Sequence, residues 1–289
     1  MGLFTCSRKS RANPSKPMGD WNSQSPPDYN EVVASDYASN QSSSPDGFLA
    51  TREFQVEAMG YNTNQALSGS KTLENISVYS VEFGAPIQEK YTSIRLQRSS
   101  NSCALVRSSD PRQNALISTI YRWGPGRHPR MRILPRDSSV SVEQAIDDDT
   151  LCGELVDVQS RSMVSRAQVF DTSLGKYQWR YGSREERKAC NADSLLILER
   201  MDCMILGDGT KTKSGARVAQ LIRNDQFRTR GSVKYSGGNG GRLVMDLRMW
   251  KDEKHADTDG VEAFFVASCI LMLKREADRF IENNIVAVT

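Results

Sequence analysis

Histidine is almost missing from this chain, with His128 and His255 the only two, and the six cysteines (Cys6, Cys103, Cys152, Cys190, Cys203, Cys269) stand apart without a C-x-x-C pair. Structural zinc needs thiolates and imidazoles at short, regular spacing, so no metal and no cofactor is expected. There is no G-x-S-x-G elbow, no phosphate loop ending in Gly-Lys-Ser/Thr and no dinucleotide fingerprint between a strand and a helix. The run Gly237-Gly238-Asn239-Gly240-Gly241 reads as a hairpin tip. An enzyme would need residues distant in sequence, with His255 beside Asp252 and Asp257, or a Cys190 or Cys203 nucleophile, as the raw material.

A surplus of one charge is missing as well. The 38 Lys and Arg against 35 Asp and Glu leave a net charge of +3, too even for a nucleic-acid partner. No basic start followed by an apolar run and a small-residue cleavage site precedes the scattered cysteines, which predicts a reduced, intracellular, cytoplasmic protein. The unbroken apolar or small run from Ala263 to Leu273 rises only about 16 Å at about 1.5 Å per residue, roughly half the hydrocarbon core of a bilayer.

That same run is the most informative feature present. Val261 to Leu273 is helical in pattern but apolar on every side, and a helix without a polar face needs an apolar sleeve. Asp259 is placed to cap its start with Glu262 as the reciprocal partner, and Lys274, Arg275, Glu276, Asp278 and Arg279 mark its return to water. The remainder is written in short alternating runs, clearest at 176–181 and 242–249 and recurring near 52–59, 76–83, 92–97, 104–107, 115–122, 151–158, 163–170, 195–199, 201–206 and 216–223. Turn residues separate them, as at Ser109-Asp110-Pro111, Gly124-Pro125-Gly126, Ser173-Leu174-Gly175 and Asp208-Gly209. The expected fold is mainly β: about twelve mostly antiparallel strands closed into a barrel that removes sheet edges, around a central helix over about 260–283.

Residues 1–47 are dominated by Ser, Asn, Pro, Asp and Gln and bury too little apolar surface to offset ordering entropy, so a disordered tail is expected ahead of a barrel domain over 48–289. Met1-Gly2-Leu3-Phe4-Thr5-Cys6 resembles a myristoylation start at Gly2, with Cys6 replacing the usual Ser or Thr and itself open to palmitoylation. Arg8, Lys9, Arg11 and Lys16 would add the basic patch that stable anchoring needs. Pro26-Pro27-Asp28-Tyr29 is a P-P-x-Y element suited to a WW-domain groove, with Pro26 and Pro27 presetting the extended turn and Tyr29 filling a pocket. Ubiquitin ligases carrying WW domains are the natural partners.

Arg122, Trp123, Arg127, Arg130, Arg132 and Arg136 crowd one segment, which reads as a basic loop with an interfacial aromatic for anionic lipid or phosphoinositide head groups. The alternation of Arg130 and Arg132 about Met131 reads equally as the outer face of a strand. Asp252 to Gly260 gathers acids and His255 but lacks the loop spacing and terminal Glu of an EF-hand, so a polar loop is expected there.

Four pieces in order carry a family resemblance: 174–181 (Leu-Gly-Lys-Tyr-Gln-Trp-Arg-Tyr), 215–219 (Gly-Ala-Arg-Val-Ala), 241–245 (Gly-Arg-Leu-Val-Met) and the helix 261–275 ending in a Lys/Arg pair. With them, residues from about 48 to 283 resemble the tubby C-terminal-like superfamily, which includes phospholipid scramblases and LURP-one-related proteins, and within it a fungal family of unknown function. The resemblance implies a twelve-stranded barrel around a C-terminal helix, membrane or phosphoinositide association in some relatives, and no established catalytic residues. Scramblases carry a dense cysteine cluster ahead of the barrel where this chain has only Cys6 and Cys103 before Cys152, and its acidic stretch matches their calcium-binding segment poorly, so lipid scrambling is not expected. The expected function is a non-catalytic, membrane-associated tether at a cytoplasmic face; a purely protein-binding adaptor that recruits WW-domain partners, or an enzyme with a site hidden from sequence, are the alternatives.

Overall fold

The computed structural model describes residues 47–61, 74–97, 100–122, 127–161, 165–202, 215–251 and 257–286. The tail expected over 1–47 falls outside them but for Gly47. Thirteen strands form one sheet: β1 Arg52–Glu57, β2 Ile76–Glu82, β3 Ala85–Ile94, β4 Cys103–Arg107, β5 Ala115–Ile120, β6 Arg130–Ile133, β7 Glu154–Asp157, β8 Gln159–Ser160, β9 Gln168–Thr172, β10 Gly175–Tyr181, β11 Ser194–Arg200, β12 Ala216–Arg223 and β13 Gly241–Met245. Among the described residues four helices accompany them: α1 Val142–Asp147, α2 Arg184–Ala189, α3 Arg248–Lys251 and α4 Thr258–Val286.

Every pairing is antiparallel, in the order β7-β6-β5-β4-β3-β2-β1-β13-β12-β11-β10-β9-β8. The two ends of that order are neighbours in the chain, because only Val158 separates β7 from β8. Its N–H donates to the Pro129 carbonyl at 3.0 Å, so one extended segment holds β6 on one side and β9 on the other. The sheet thereby nearly closes into a barrel, and counting β7 and β8 as one broken strand leaves the twelve positions expected. Beside β7 the ladder to β9 is missing, and the Glu154 carboxylate spans the seam, accepting from the Ser173 N–H at 2.5 Å and from the Ser173 hydroxyl.

Helix α4 fills the lumen. Val261, Phe264, Phe265, Val266, Cys269, Leu271 and Met272 are wholly buried, and each barrel position sends a side chain inward toward them: Phe54, Val78, Tyr91, Leu105, Ile117, Met131, Val156, Phe170, Trp179, Leu196, Leu221 and Leu243. The one polar group at mid-helix is satisfied, since Ser268 accepts from the Trp179 indole N–H at 2.9 Å and donates to the Phe265 carbonyl. Burying each large apolar side chain stabilises the fold by about 1.5–3 kcal/mol, which is why this helix can dispense with a polar face. A second, smaller core lies outside the barrel, where α1 sets Val142 and Ala145 against Ala104, Val106 and Ala115.

The glycine run is not the hairpin tip expected: Gly237 pairs with Tyr61, the Gly240 N–H donates to the Ala58 carbonyl and Gly241 opens β13 opposite Val56, so the run lies along β1 and the turns of this connection fall earlier, at 229–232 and 233–236. A Cβ on Gly238, which has φ +79°, would lie 2.4 Å from the Leu273 carbonyl, and one on Gly240 would lie 2.0 Å from the Val56 carbonyl, so this approach to β13 passes against α4 and β1 at backbone distance.

Four local expectations in the strands and the last helix are corrected. Asp257, not Asp259, caps α4, accepting from the Gly260 N–H at 2.9 Å; Asp259 stands in the first turn and faces Arg107 and Arg136. Glu262 does not fold back onto the cap, because it looks into the barrel wall, where it accepts from the Tyr91 hydroxyl at 2.7 Å and pairs with Lys90 at 2.5 Å. The alternating run to Met249 leaves the sheet at Met245: the Asp246 carboxylate accepts from the Arg248 and Leu49 N–H groups and starts α3, while Leu247 and Trp250 stay buried as the barrel's lid. Phe83, expected to end a strand, sits at φ +49° in the turn before Gly84.

Candidate functional site

The strand directions give the barrel two distinct rims. At the leading rim α4 begins, among the ends of β4, β6, β11 and β13; at the trailing rim its last turns emerge, among the ends of β5, β10 and β12. The arginine segment runs from one rim to the other and does not converge. Arg122 follows β5 and Arg127 precedes β6, both exposed at the trailing rim, with Arg130 beside them and paired to Asp157 at 2.9 Å. Arg136 lies past the far end of β6, roughly 10 Å further along the strand alone, and pairs with Asp259 at 3.4 Å. Arg132 is on the outer face of β6 as its alternation with Met131 implies, yet it is only 2% exposed. It donates to the Asp148 and Asp149 carbonyls at 2.6 and 2.9 Å, tying the segment after α1 down onto the sheet, and so has no surface for a head group. Trp123 lies outside the described residues, as do Gly2, Cys6, Pro26, Pro27 and Tyr29.

What Arg122 and Arg127 join was invisible in sequence. The β8–β9 connection brings exposed Arg161 to the trailing rim, α2 brings Arg184 and Lys188, and the β12–β13 connection brings Arg230. Among the described residues none of these six cations makes an ion pair. The leading rim is different: Arg52 faces Glu262, Arg107 and Arg136 face Asp259, Lys176 faces Asp171 and Arg248 faces Asp246. Free positive charge is therefore concentrated where α4 leaves the barrel. The contributing residues come from four connections far apart in the chain, so no sequence window shows them as a cluster.

The trailing rim is also sealed. Arg223 reaches Glu276 of α4 at 2.5 and 2.8 Å and also donates to Ser194 and Asn239; burial pulls its pKa down, but the Glu276 charge and hydrogen bond leave it raised. Lys274 donates to the Asn101 carbonyl, whose side chain in turn holds Asp278. Behind this collar, burial pushes the Cys269 thiol up to about 12, which removes it as a nucleophile at neutral pH. Cys190 is likewise raised by burial. Cys203, Asp252 and His255 lie outside the described residues.

Between β3, β4, β5 and α4, Ser93, Cys103, Thr119 and Ala267 surround a gap too narrow for water. A cleft of about 270 Å³ opens at the leading rim between Arg107, Asp110, Asn114, Arg136 and Asp137, with both arginines already committed to Asp259. Among the described residues no three His, Cys, Asp or Glu side chains gather as metal ligands, and no helix is long and apolar enough to cross a membrane.

On the outer wall, Glu186 of α2 binds Arg180 at 2.7 Å and Arg217 at 3.1 Å across β10–β12. The Arg180 hydrogen bond, outweighing burial, holds Glu186 at about 2 against an ordinary 4.5. A depressed carboxylate stabilises the fold above its unfolded value and loses that contribution as pH falls through the folded one. Melting temperature should therefore drop between pH of about 4.5 and about 2, and Glu186→Gln should shallow that drop while lowering stability at pH 7; an unchanged pH profile in the variant would remove the network from the acid response. No protein-family model, curated protein or solved structure matches this chain.

Proposed function

We propose that the protein is a non-catalytic tether that lies on an anionic lipid surface with the trailing rim of its barrel. The observation carrying this reading is the contrast between the rims: on one, exposed Arg122, Arg127, Arg161, Arg184, Lys188 and Arg230 make no ion pair, while on the other Arg52, Arg107, Arg136, Lys176 and Arg248 face carboxylates and, of the described exposed cations, Arg112 does not. Each Lys or Arg brought within a Debye length of an anionic leaflet contributes about 1 kcal/mol, so a rim of such groups orients the barrel as well as holding it. The resemblance to tubby-like proteins points the same way, since some of those relatives associate with membranes. Acylation at Gly2 and Cys6 would add a hydrophobic anchor, and Tyr29 in Pro26-Pro27-Asp28-Tyr29 would recruit a WW-domain ubiquitin ligase to the site of attachment.

Sedimentation of the unacylated full chain with vesicles of phosphatidylcholine containing phosphatidylserine tests the lipid reading. Binding should appear only with the anionic lipid and weaken steeply with salt. The combined variant Arg122→Glu, Arg127→Glu, Arg184→Glu, Lys188→Glu should lose at least tenfold in affinity, while Arg112→Glu with Lys176→Glu at the other rim should change it little. Equal binding to neutral vesicles, or an unaffected four-site variant, overturns the proposal.

A further inference from the structure

We infer that the β12–β13 connection is the part of the trailing rim that enters the lipid, with Val233 and Tyr235 as the side chains that leave water; this rests on the lipid-surface reading above. Large exposed apolar side chains are few. Among the described residues, Leu49 lies at the leading rim, Leu155 on the barrel wall, and Phe83 and Ile87 on a hairpin whose tip is pinned to that wall by Arg242 donating to the Gly84 carbonyl at 3.0 Å. The remaining three, Met59, Val233 (52% exposed) and Tyr235 (80% exposed), stand together at the trailing rim, Met59 reaching toward Gly231 of the same connection.

Their exposure is built in. Thr229 anchors the connection to β1, its hydroxyl accepting from the Ala58 N–H at 3.0 Å; Ser232 donates to the Thr229 carbonyl from both N–H and hydroxyl; and the Ser236 N–H and Asn239 side chain both close on the Val233 carbonyl. Tyr61 and Gly237 exchange backbone hydrogen bonds at 2.9 and 3.0 Å behind it. A backbone held at so many points cannot fold Val233 and Tyr235 back onto the barrel, so they remain in water until something apolar arrives. A tyrosine ring with its hydroxyl suits the head-group boundary, a valine the region just beneath it. Arg230 stands exposed beside them, and Lys234 is half exposed although paired with Asp193 at 2.5 Å. Apolar tips flanked by cations match a lipid surface that is greasy inside and anionic at its face.

Tyr235→Trp in the full chain reports on this directly, compared with the parent and its own four tryptophans. On phosphatidylserine vesicles whose acyl chains carry bromine, the added tryptophan should shift to the blue and be quenched while the parent's emission changes little. Val233→Ser with Tyr235→Ser should leave the melting temperature unchanged and cut vesicle affinity about tenfold. Parent-like vesicle binding by the Tyr235→Trp chain without quenching of the added indole, or an undiminished affinity of the double-serine variant, overturns the insertion while leaving the basic rim intact. A parent chain that does not sediment with the vesicles overturns both.

Discussion

Phe264→Ala should lower the stability of the barrel by about 3–5 kcal/mol, among the largest effects of any single truncation in the chain. The ring is wholly buried and meets Phe170 at 5.9 Å, Tyr177 at 5.6 Å and Phe265 at 6.2 Å between centroids. Phe170 belongs to β9, the strand that lacks a ladder to β7, so Phe264 supports the seam from inside where backbone pairing does not. Removing it leaves a void in a place with few hydrogen bonds to resist collapse or opening. Denaturant unfolding should show a lower midpoint at an unchanged slope, and Leu155→Ala, on the outside of the same seam, should stay within about 0.5 kcal/mol. A loss below about 1 kcal/mol for Phe264→Ala would mean that α4 is not enclosed.

Glu276→Ala should cost a comparable 3–5 kcal/mol for an electrostatic reason. The Arg223 and Glu276 side chains are only 5% and 10% exposed, and taking away the carboxylate strands a guanidinium that burial already disfavours. Tyr181 loses a partner in the same step, since its pKa is raised by burial and then by the Glu276 charge and hydrogen bond. The double variant Arg223→Met with Glu276→Leu should be markedly more stable than Glu276→Ala alone, because two apolar groups carry no desolvation debt. A double-mutant cycle measures this, and a Glu276→Ala chain that melts with the parent would show that the collar does not hold the helix.

Much of the architecture was legible from one run of residues. Val261 to Leu273 has no polar side, and short alternating runs were the only material from which its sleeve could be made. Short helices escaped that reading although their start signals are present: Ser141 with Gln144 and Ser183 with Glu186 each close a reciprocal cap over α1 and α2, six-residue helices too brief to show a hydrophobic period. The cap of α4 was misplaced by two residues because Asp257 and Asp259 have the same chemistry. Which one faces the free N–H groups depends on where the chain arrives from α3, and Glu262 was drawn away by Tyr91 and Lys90, 171 and 172 residues earlier in the chain.

The sequence by itself determined that a helix is swallowed by strands, since apolar surface on all sides has a single remedy in water and the alternating period names the element that supplies it. Only the tertiary structure decided which charges act together. A strand sends neighbours in sequence to opposite faces and opposite rims, which separated Arg122 and Arg127 from Arg132 and Arg136, while barrel closure brought Arg161, Arg184, Lys188 and Arg230 to one rim from distant connections. Charge is read through space, and closure of the sheet sets those distances.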